Sequence, residues 1–385
     1  MLKEKLGRAA VVFIFTPNLL LPSMVSLANI AVFGYVIFSR LEINVNRPFL
    51  CVVFLGFWGV VSGVLWKTPL DFVIQDGVQF LLYTSISLLI IPNIIRGMSE
   101  ENRDKIFMFG ALFVAFYVLF EFCYTNFVSN KPLIFLHSEY LEYKSIFAGG
   151  YLRPRGLSAE PSETAMILGM SLFYLRNSLK LAYKITIYIA IVLMGSPLPL
   201  LFSTAYVMVS VWRNTISESP SIVSSAIKLI LLAFVMIAVL AASVDFVNNL
   251  VQKSIMTKFS TQGDKFSSFD YRSYVYKNGS NYIFNESPII GFGFGYTEYK
   301  SARKDSLGDY VFPGGMMSVP LQFYYFFGLG GVLLYLFLVF QCFRGVVEGQ
   351  YSIYFFCLYA LYFFVVGDWW SPFLGAALWG RKRKK

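Results

Sequence analysis

The sequence contains a single histidine, His137, in 385 residues. That argues against a histidine-built metal site and against a Ser–His–Asp relay. Charge is also scarce: Asp, Glu, Lys and Arg make up 14% of the chain, where a soluble domain carries about 25%. This excludes a conventional soluble enzyme and a disordered chain. Only four cysteines are present, Cys51, Cys123, Cys342 and Cys357. All lie inside apolar runs and read as small hydrophobes, which excludes a disulfide-stapled domain and a zinc framework. What is abundant is apolar: 57% of the residues are hydrophobic and the mean hydropathy is +0.61. Lys and Arg number 32 against 22 Asp and Glu, a net charge of +10. The positives sit between apolar runs, as in loops held on the inner side of a membrane, so no nucleic-acid partner is expected.

A spanning helix needs about 20 apolar residues. The hydropathy pattern predicts long spans near 48–66, 72–95, 106–128, 225–247, 318–343 and 351–367. Shorter ones are predicted near 163–176, 184–195, 197–212 and 369–380. The run 8–38, punctuated by Pro17 and Pro22, reads as two helices meeting near Pro22. It has no convincing small-residue cleavage site and reads as retained membrane helix. The expected fold is therefore all-α and polytopic, one membrane domain over 1–385 with about twelve transmembrane helices and the lipid bilayer as partner.

With an even count and both termini cytoplasmic, Arg40, Arg47, Arg96, Arg103, Lys105, Arg176, Lys180, Lys184, Arg213, Lys228, Arg344 and the terminal run Arg381–Lys385 all fall inside. Two long segments, 129–162 and 248–317, then lie on the opposite face. Loops on a rigid scaffold are where chemistry concentrates.

The first loop contains Gly149-Gly-Tyr-Leu-Arg-Pro-Arg-Gly-Leu-Ser-Ala-Glu-Pro-Ser-Glu-Thr-Ala165. Arg153 and Arg155 bracket a stiffening proline, and arginine binds phosphate in a bidentate fork. The same two arginines also suit interfacial anchors. Glu160, before Pro161, fits either a reacting carboxylate or a helix-start residue. His137, in the same loop, is a possible base or a surface residue. The second loop contains Phe269-Asp-Tyr-Arg-Ser-Tyr-Val-Tyr-Lys277 and Asn285-Glu-Ser-Pro-Ile-Ile-Gly-Phe-Gly-Phe-Gly-Tyr296. Residues 271–284 read as an amphipathic helix with Tyr271, Tyr274, Val275 and Tyr282 near one face. Tyr276 belongs to the same aromatic set. Arg272 and Lys277 beside those rings suit a phosphorylated sugar: rings stack on sugar faces and cations hold phosphate. Gly291, Gly293 and Gly295 either let backbone amides approach a ligand or form a tight turn between packed aromatics. Their spacing is not a dinucleotide fingerprint.

In order and placement these segments resemble the bacterial O-antigen polymerase and ligase superfamily. The resemblance rests on Arg155-Gly-Leu-Ser-Ala-Glu160-Pro161-Ser162 before a helix. It rests also on Arg272 with Tyr276, followed by Pro288-Ile-Ile-Gly291-Phe-Gly293-Phe-Gly295, and on Leu321-Gln322 with Gly328-Leu-Gly-Gly331. By motif it covers about 150–335. Ligases of the superfamily usually carry His-Asn shortly before the Leu-Gln pair; Met317 and Ser318 stand there in this chain. That departure favours a polymerase.

The resemblance implies a fold similar to the GT-C class, an inner-membrane location and periplasmic active-site loops. It implies transfer of a growing glycan from undecaprenyl pyrophosphate to the next lipid-linked repeat unit, with a chain-length regulator as a possible partner. Arg153, Arg155 and Arg272 would hold the pyrophosphate. Glu160, with His137 second, would take the acceptor's proton. No clustered carboxylates stand in the loops, so no metal and no cofactor is expected. A ligase or another lipid-linked sugar transferase is the nearest alternative. A lipid-linked oligosaccharide flippase is another, for which Asp71, Asp76, Glu121 and Asp245, near helix ends or inside helices, would be the charges to examine.

Overall fold

The computed structural model describes residues 27–38, 45, 47–129, 154–157, 161–175, 178–196, 198–207, 268–296, 318–350, 352–365 and 372–379, together with Gly7, Ala9, Val11, Ile14 and Phe15. The regular elements among the described residues are helices, with no strand among them. They fall into two compact units: Met1–Gly110 with Asp270–Lys385, and Ala111–Phe269.

The first unit contains α1 (Leu27–Phe38), α2 (Arg47–Leu65) and α3 (Leu70–Thr84), which continues through a π-helical turn, Ser85–Ile90, into α4 (Ile91–Arg96). α5 (Glu100–Cys123) follows and ends in a second π-turn, Tyr124–Ser129. Four of these stretches are long and apolar enough to cross a membrane: Arg47–Leu65, Leu70–Arg96, Glu100–Ser129 and, later, Leu329–Val347. Three of them match expected spans closely. The expected helices at 225–247 and over most of 8–26 lie outside the described residues.

α2 shows how composition sorts the faces. Phe54 and Phe57 are 67% and 68% exposed, as lipid-facing side chains should be. Gly56, Gly59 and Gly63 are buried, and such small-residue faces let helices approach closely where no hydrophobic force acts between them. Gly56 meets the ring of Phe80 on α3. The first π-turn has a local cause in Pro92. Its ring crowds the carbonyl four residues earlier and it offers no N–H, so the turn before it widens. The Asn93 side chain donates to Leu89 O at 2.8 Å, supplying one donor.

α9 (Ser268–Glu286), α10 (Val319–Phe327), α11 (Leu329–Val347), α12 (Ile353–Val365) and α13 (Pro372–Trp379) complete this unit from Asp270 onward. One expectation is corrected here. The run 318–343 is not a single span: it breaks at Gly328, whose backbone (φ 57, ψ −141) is neither helical nor accessible to a side chain. At Gly331 a Cβ would stand 1.9 Å from Phe323 O, so α10 and α11 fold sharply against one another. α13 lies on the first π-turn, and a Cβ on Gly375 would sit 1.7 Å from Ser87 O.

The second unit contains the later part of α5, then α6 (Pro161–Tyr174), α7 (Leu181–Met194) and α8 (Leu198–Val207). α6 is buried along nearly its whole length. α7 and α8 form a hairpin through Gly195, which is left-handed (φ 57, ψ 32) and donates to Val192 O at 2.9 Å. The hairpin is tied by Tyr188 and Thr204, whose hydroxyls lie 2.9 Å apart. The ring of Tyr206 packs edge-on against Phe173, 5.1 Å between centroids.

Candidate functional site

In the first unit, the segment Pro288–Tyr296 enters the helix bundle. A backbone inside a membrane protein must have every polar group satisfied, and here the partners can be followed one by one. Gly291 N donates to Ser287 O at 3.0 Å, Phe292 N to Tyr325 O at 2.7 Å and Gly293 N to Phe326 O at 3.2 Å. Phe294 N donates to Gly59 O at 3.1 Å and Gly295 N to the Asp76 carboxylate at 2.8 Å. In return, Pro288 O accepts from Leu329 N at 3.0 Å. Gly291 O accepts from Ser62 Oγ at 2.8 Å, Ser287 Oγ at 2.8 Å and Trp66 Nε1 at 3.0 Å. The segment thus supplies donors to the last carbonyls of the broken helix α10.

Of the two readings of these glycines, the backbone geometry fits the tight turn. The five amides from Gly291 to Gly295 already donate within the fold. The glycines are required because each has φ near +74° with other backbone in the place of a side chain. A Cβ would stand 2.5 Å from Gly328 N at Gly291, 2.0 Å from Gly63 N at Gly293 and 2.7 Å from Phe72 C at Gly295. The tight turn between packed aromatics is the arrangement found.

Phe292 and Phe294, the residues between those glycines, point into the bundle. Phe294 packs against Phe80 and Phe327 at 5.0 and 5.7 Å. Phe292 stacks on Tyr282 at 5.1 Å and on Tyr296 at 4.8 Å, with Trp66 and Tyr325 both at 5.0 Å. Around this core, Trp66, Tyr276, Tyr282 and Tyr324 are only partly buried. The molecule therefore carries an aromatic surface where α2 ends, beside α9. Burial, then a hydrogen bond with Tyr296, pushes the Tyr282 phenol well above the usual tyrosine range. It stays a neutral hydroxyl, able to donate. Tyr276 belongs to this group and Lys277 beside it is exposed. Tyr271, Arg272 and Tyr274 lie in α9, with Arg272 one turn before Tyr276, but their side chains are outside the described set.

In the second unit, the described part of the first loop is Pro154–Leu157. Arg155 is 8% exposed and Glu121, on α5, is 4% exposed. One Glu121 carboxylate oxygen accepts from Arg155 N at 3.0 Å and from Gly156 N at 2.8 Å. Thr164, in the first turn of α6, donates its hydroxyl to Arg155 O at 2.9 Å. Gly156 is left-handed (φ 72), with the Thr164 methyl 2.6 Å from where a Cβ would be. Two consecutive amides aimed at one oxygen make an anion-binding nest, and Glu121 fills it. The Arg155 charge also acts on that carboxylate.

Of the expected site residues, Arg153, His137 and Glu160 lie outside the described residues. Arg155 belongs to the second unit. Arg272, Tyr276, Lys277 and the glycines belong to the first. Among the described residues, no group of three His, Cys, Asp or Glu side chains is placed to hold a metal ion. Glu121 is the site residue that motif reading misses. Its one sequence signal is a lone carboxylate in the otherwise uncharged stretch 106–129.

Comparison with known families bears on what this arrangement does. Residues 182–336 match the family model described as O-antigen ligase. The match covers less than half of the chain, from α7 to the middle of α11, and includes Arg272 and Gly291–Gly295. No curated protein matches the chain. Together with the apolar helices, the match supports a multi-pass membrane protein similar to the O-antigen ligase and polymerase superfamily, acting as a transferase of lipid-linked glycans.

Proposed function

We propose that this protein is the polymerase of that superfamily, joining polysaccharide repeat units on the periplasmic face of a bacterial inner membrane. The growing glycan leaves undecaprenyl pyrophosphate. The bond from its anomeric carbon to the diphosphate oxygen breaks, and a bond to a hydroxyl of the next lipid-linked unit forms. The hydroxyl proton passes to a carboxylate, Glu160, with His137 as the second choice. The diphosphate takes up the negative charge, and fixed cations in a dry site stabilise it best.

The observation that carries this reading is the Arg155 turn: a cationic residue, largely buried, on backbone tied at three points. Arg153 and Arg272 are proposed as further pyrophosphate-binding cations. Tyr271, Tyr274, Tyr276 and Lys277 are proposed to meet the sugars. A chain-length regulator is the proposed protein partner. A ligase is the second reading, favoured by the description of the matched family. Against it stand Met317 and Ser318 where ligases carry His-Asn.

The test is the surface-glycan profile of a deletion strain carrying the wild-type chain, Arg155→Ala or Arg272→Ala. Loss of a polymerase leaves one repeat unit on the core, and both variants should give that pattern while still inserting in the membrane. Each should lower the rate by roughly 10²–10³-fold, as removal of a charge-stabilising donor does. Core with no repeat unit would establish the ligase instead. Repeat units trapped on the cytoplasmic side would establish a flippase. Normal ladders from both variants would remove the arginines from the site.

A further inference from the structure

Glu121 is the one charged residue between Lys105 and Ser129, in a stretch long and apolar enough to cross a membrane. Carboxylates in such places are costly and persist where they have dedicated partners. Its partners are unusual. An ion pair made for stability would grip a side chain. Here one carboxylate oxygen takes the backbone amides of Arg155 and Gly156, at 3.0 and 2.8 Å. Thr164 holds the carbonyl of the same residue, at 2.9 Å. Arg155 is therefore fixed through both of its peptide groups, and left-handed Gly156 is what turns the two amides toward a single oxygen. The contacts come from the flanking helices α5 and α6, so neither the loop nor either helix alone defines the position of this arginine.

We infer that Glu121 is a positioning residue: it sets the Arg155 backbone so that the guanidinium meets the diphosphate of the lipid-linked donor. This rests on the reading of Arg155 given above, and it adds a residue that no motif contains. Distance is the essential quantity. A misplacement of 1 Å at such a group can cost about 10²-fold. Shortening Glu121 by one methylene draws the anchor back by about 1.5 Å, one carbon–carbon bond.

The experiment uses the full-length protein in lipid nanodiscs and reads two quantities for each variant. One is binding of undecaprenyl pyrophosphate without glycan. The other is the thermal midpoint. Glu121→Asp should fold and bind at least about tenfold more weakly, because its oxygen no longer reaches both amides. Glu121→Gln keeps an acceptor oxygen at the native reach and should bind within about threefold of wild type, since a neutral acceptor still holds the amides. Thr164→Val approaches the same turn from α6 without touching Glu121, and should weaken binding in the same direction as Glu121→Asp. Glu121→Ala is expected to lower the thermal midpoint as well.

If Glu121→Asp and Thr164→Val lower only the midpoint, and folded protein binds as wild type, the residue is structural and the inference fails. It fails also if Glu121→Gln is as weak as Glu121→Ala while Glu121→Asp is intact, because charge and not reach would then be the requirement. Wild type that does not bind, or Arg155→Ala that binds normally, would overturn the role of Arg155 and this inference together. Weak Arg155→Ala with normal Glu121→Asp and Thr164→Val would overturn the inference alone.

Discussion

Gly293 and Gly349 form a matched pair of backbone conformations in very different surroundings, and alanine at each should separate strain from crowding. Both glycines are left-handed, at φ 74 and 70. An L side chain in that region costs roughly 1–2 kcal/mol at either place. At Gly349, just past the end of α11, a Cβ would meet nothing within 4 Å, so Gly349→Ala should cost that amount and no more. At Gly293 the Cβ would stand 2.0 Å from Gly63 N and 2.4 Å from Gly59 O. Carbon atoms sit comfortably at about 3.5–4.0 Å, so α2 and the inserted segment must part by more than about 1 Å. That breaks the bonds from Phe294 N to Gly59 O and from Ser62 Oγ to Gly291 O, now 3.1 and 2.8 Å. Each polar group orphaned inside the bundle adds about 1–3 kcal/mol. The total exceeds about 5 kcal/mol, the scale of a domain's whole net stability. Fluorescence-detected size exclusion after a heat ramp reads this directly. Gly349→Ala should shift the midpoint by a few degrees, and Gly293→Ala should abolish the monodisperse peak. Similar midpoints for the two would refute the reading of the glycine run as a wedge between helices.

Two further outcomes follow from the same segment. Gly291 O accepts from three donors, so Ser62→Ala and Ser287→Ala should each cost less than about 1 kcal/mol. The double variant should cost more than their sum, which a double-mutant cycle on thermal midpoints would detect. Asp76→Ala leaves Gly295 N without its acceptor and should cost about 1–3 kcal/mol. Asp76→Asn keeps an oxygen there and should cost less than half as much, with relative yields of folded protein as the readout.

Much of the scaffold is legible in the sequence because crossing a membrane requires long apolar runs. The spans at Arg47–Leu65, Leu70–Arg96 and Glu100–Ser129 stand out for that reason. The break at Gly328 does not, since hydropathy is equally high on both sides and is blind to backbone direction. The glycine run Gly291–Gly295 announces a close backbone approach, but not to what. Its partner is α2, 229 residues away by the Ser62–Gly291 bond. The arginines are legible as candidates because charge is scarce in the chain. The residue that fixes Arg155 is legible only as an oddity, because its partners are main-chain amides and main chain has no identity in a sequence.

The inserted segment also constrains how the molecule is made. α2 and α3 leave the ribosome early, yet the piece that fills the slot between Gly59, Gly63 and Phe80 belongs to residues 288–296, and the carbonyls it serves belong to α10. At about 5–20 residues per second, the helix pair waits for tens of seconds before the residues that fill that slot are made. Completion of the first unit therefore waits on a late insertion, and a chain stalled before Pro288 would hold its membrane helices without the wedge that locks them.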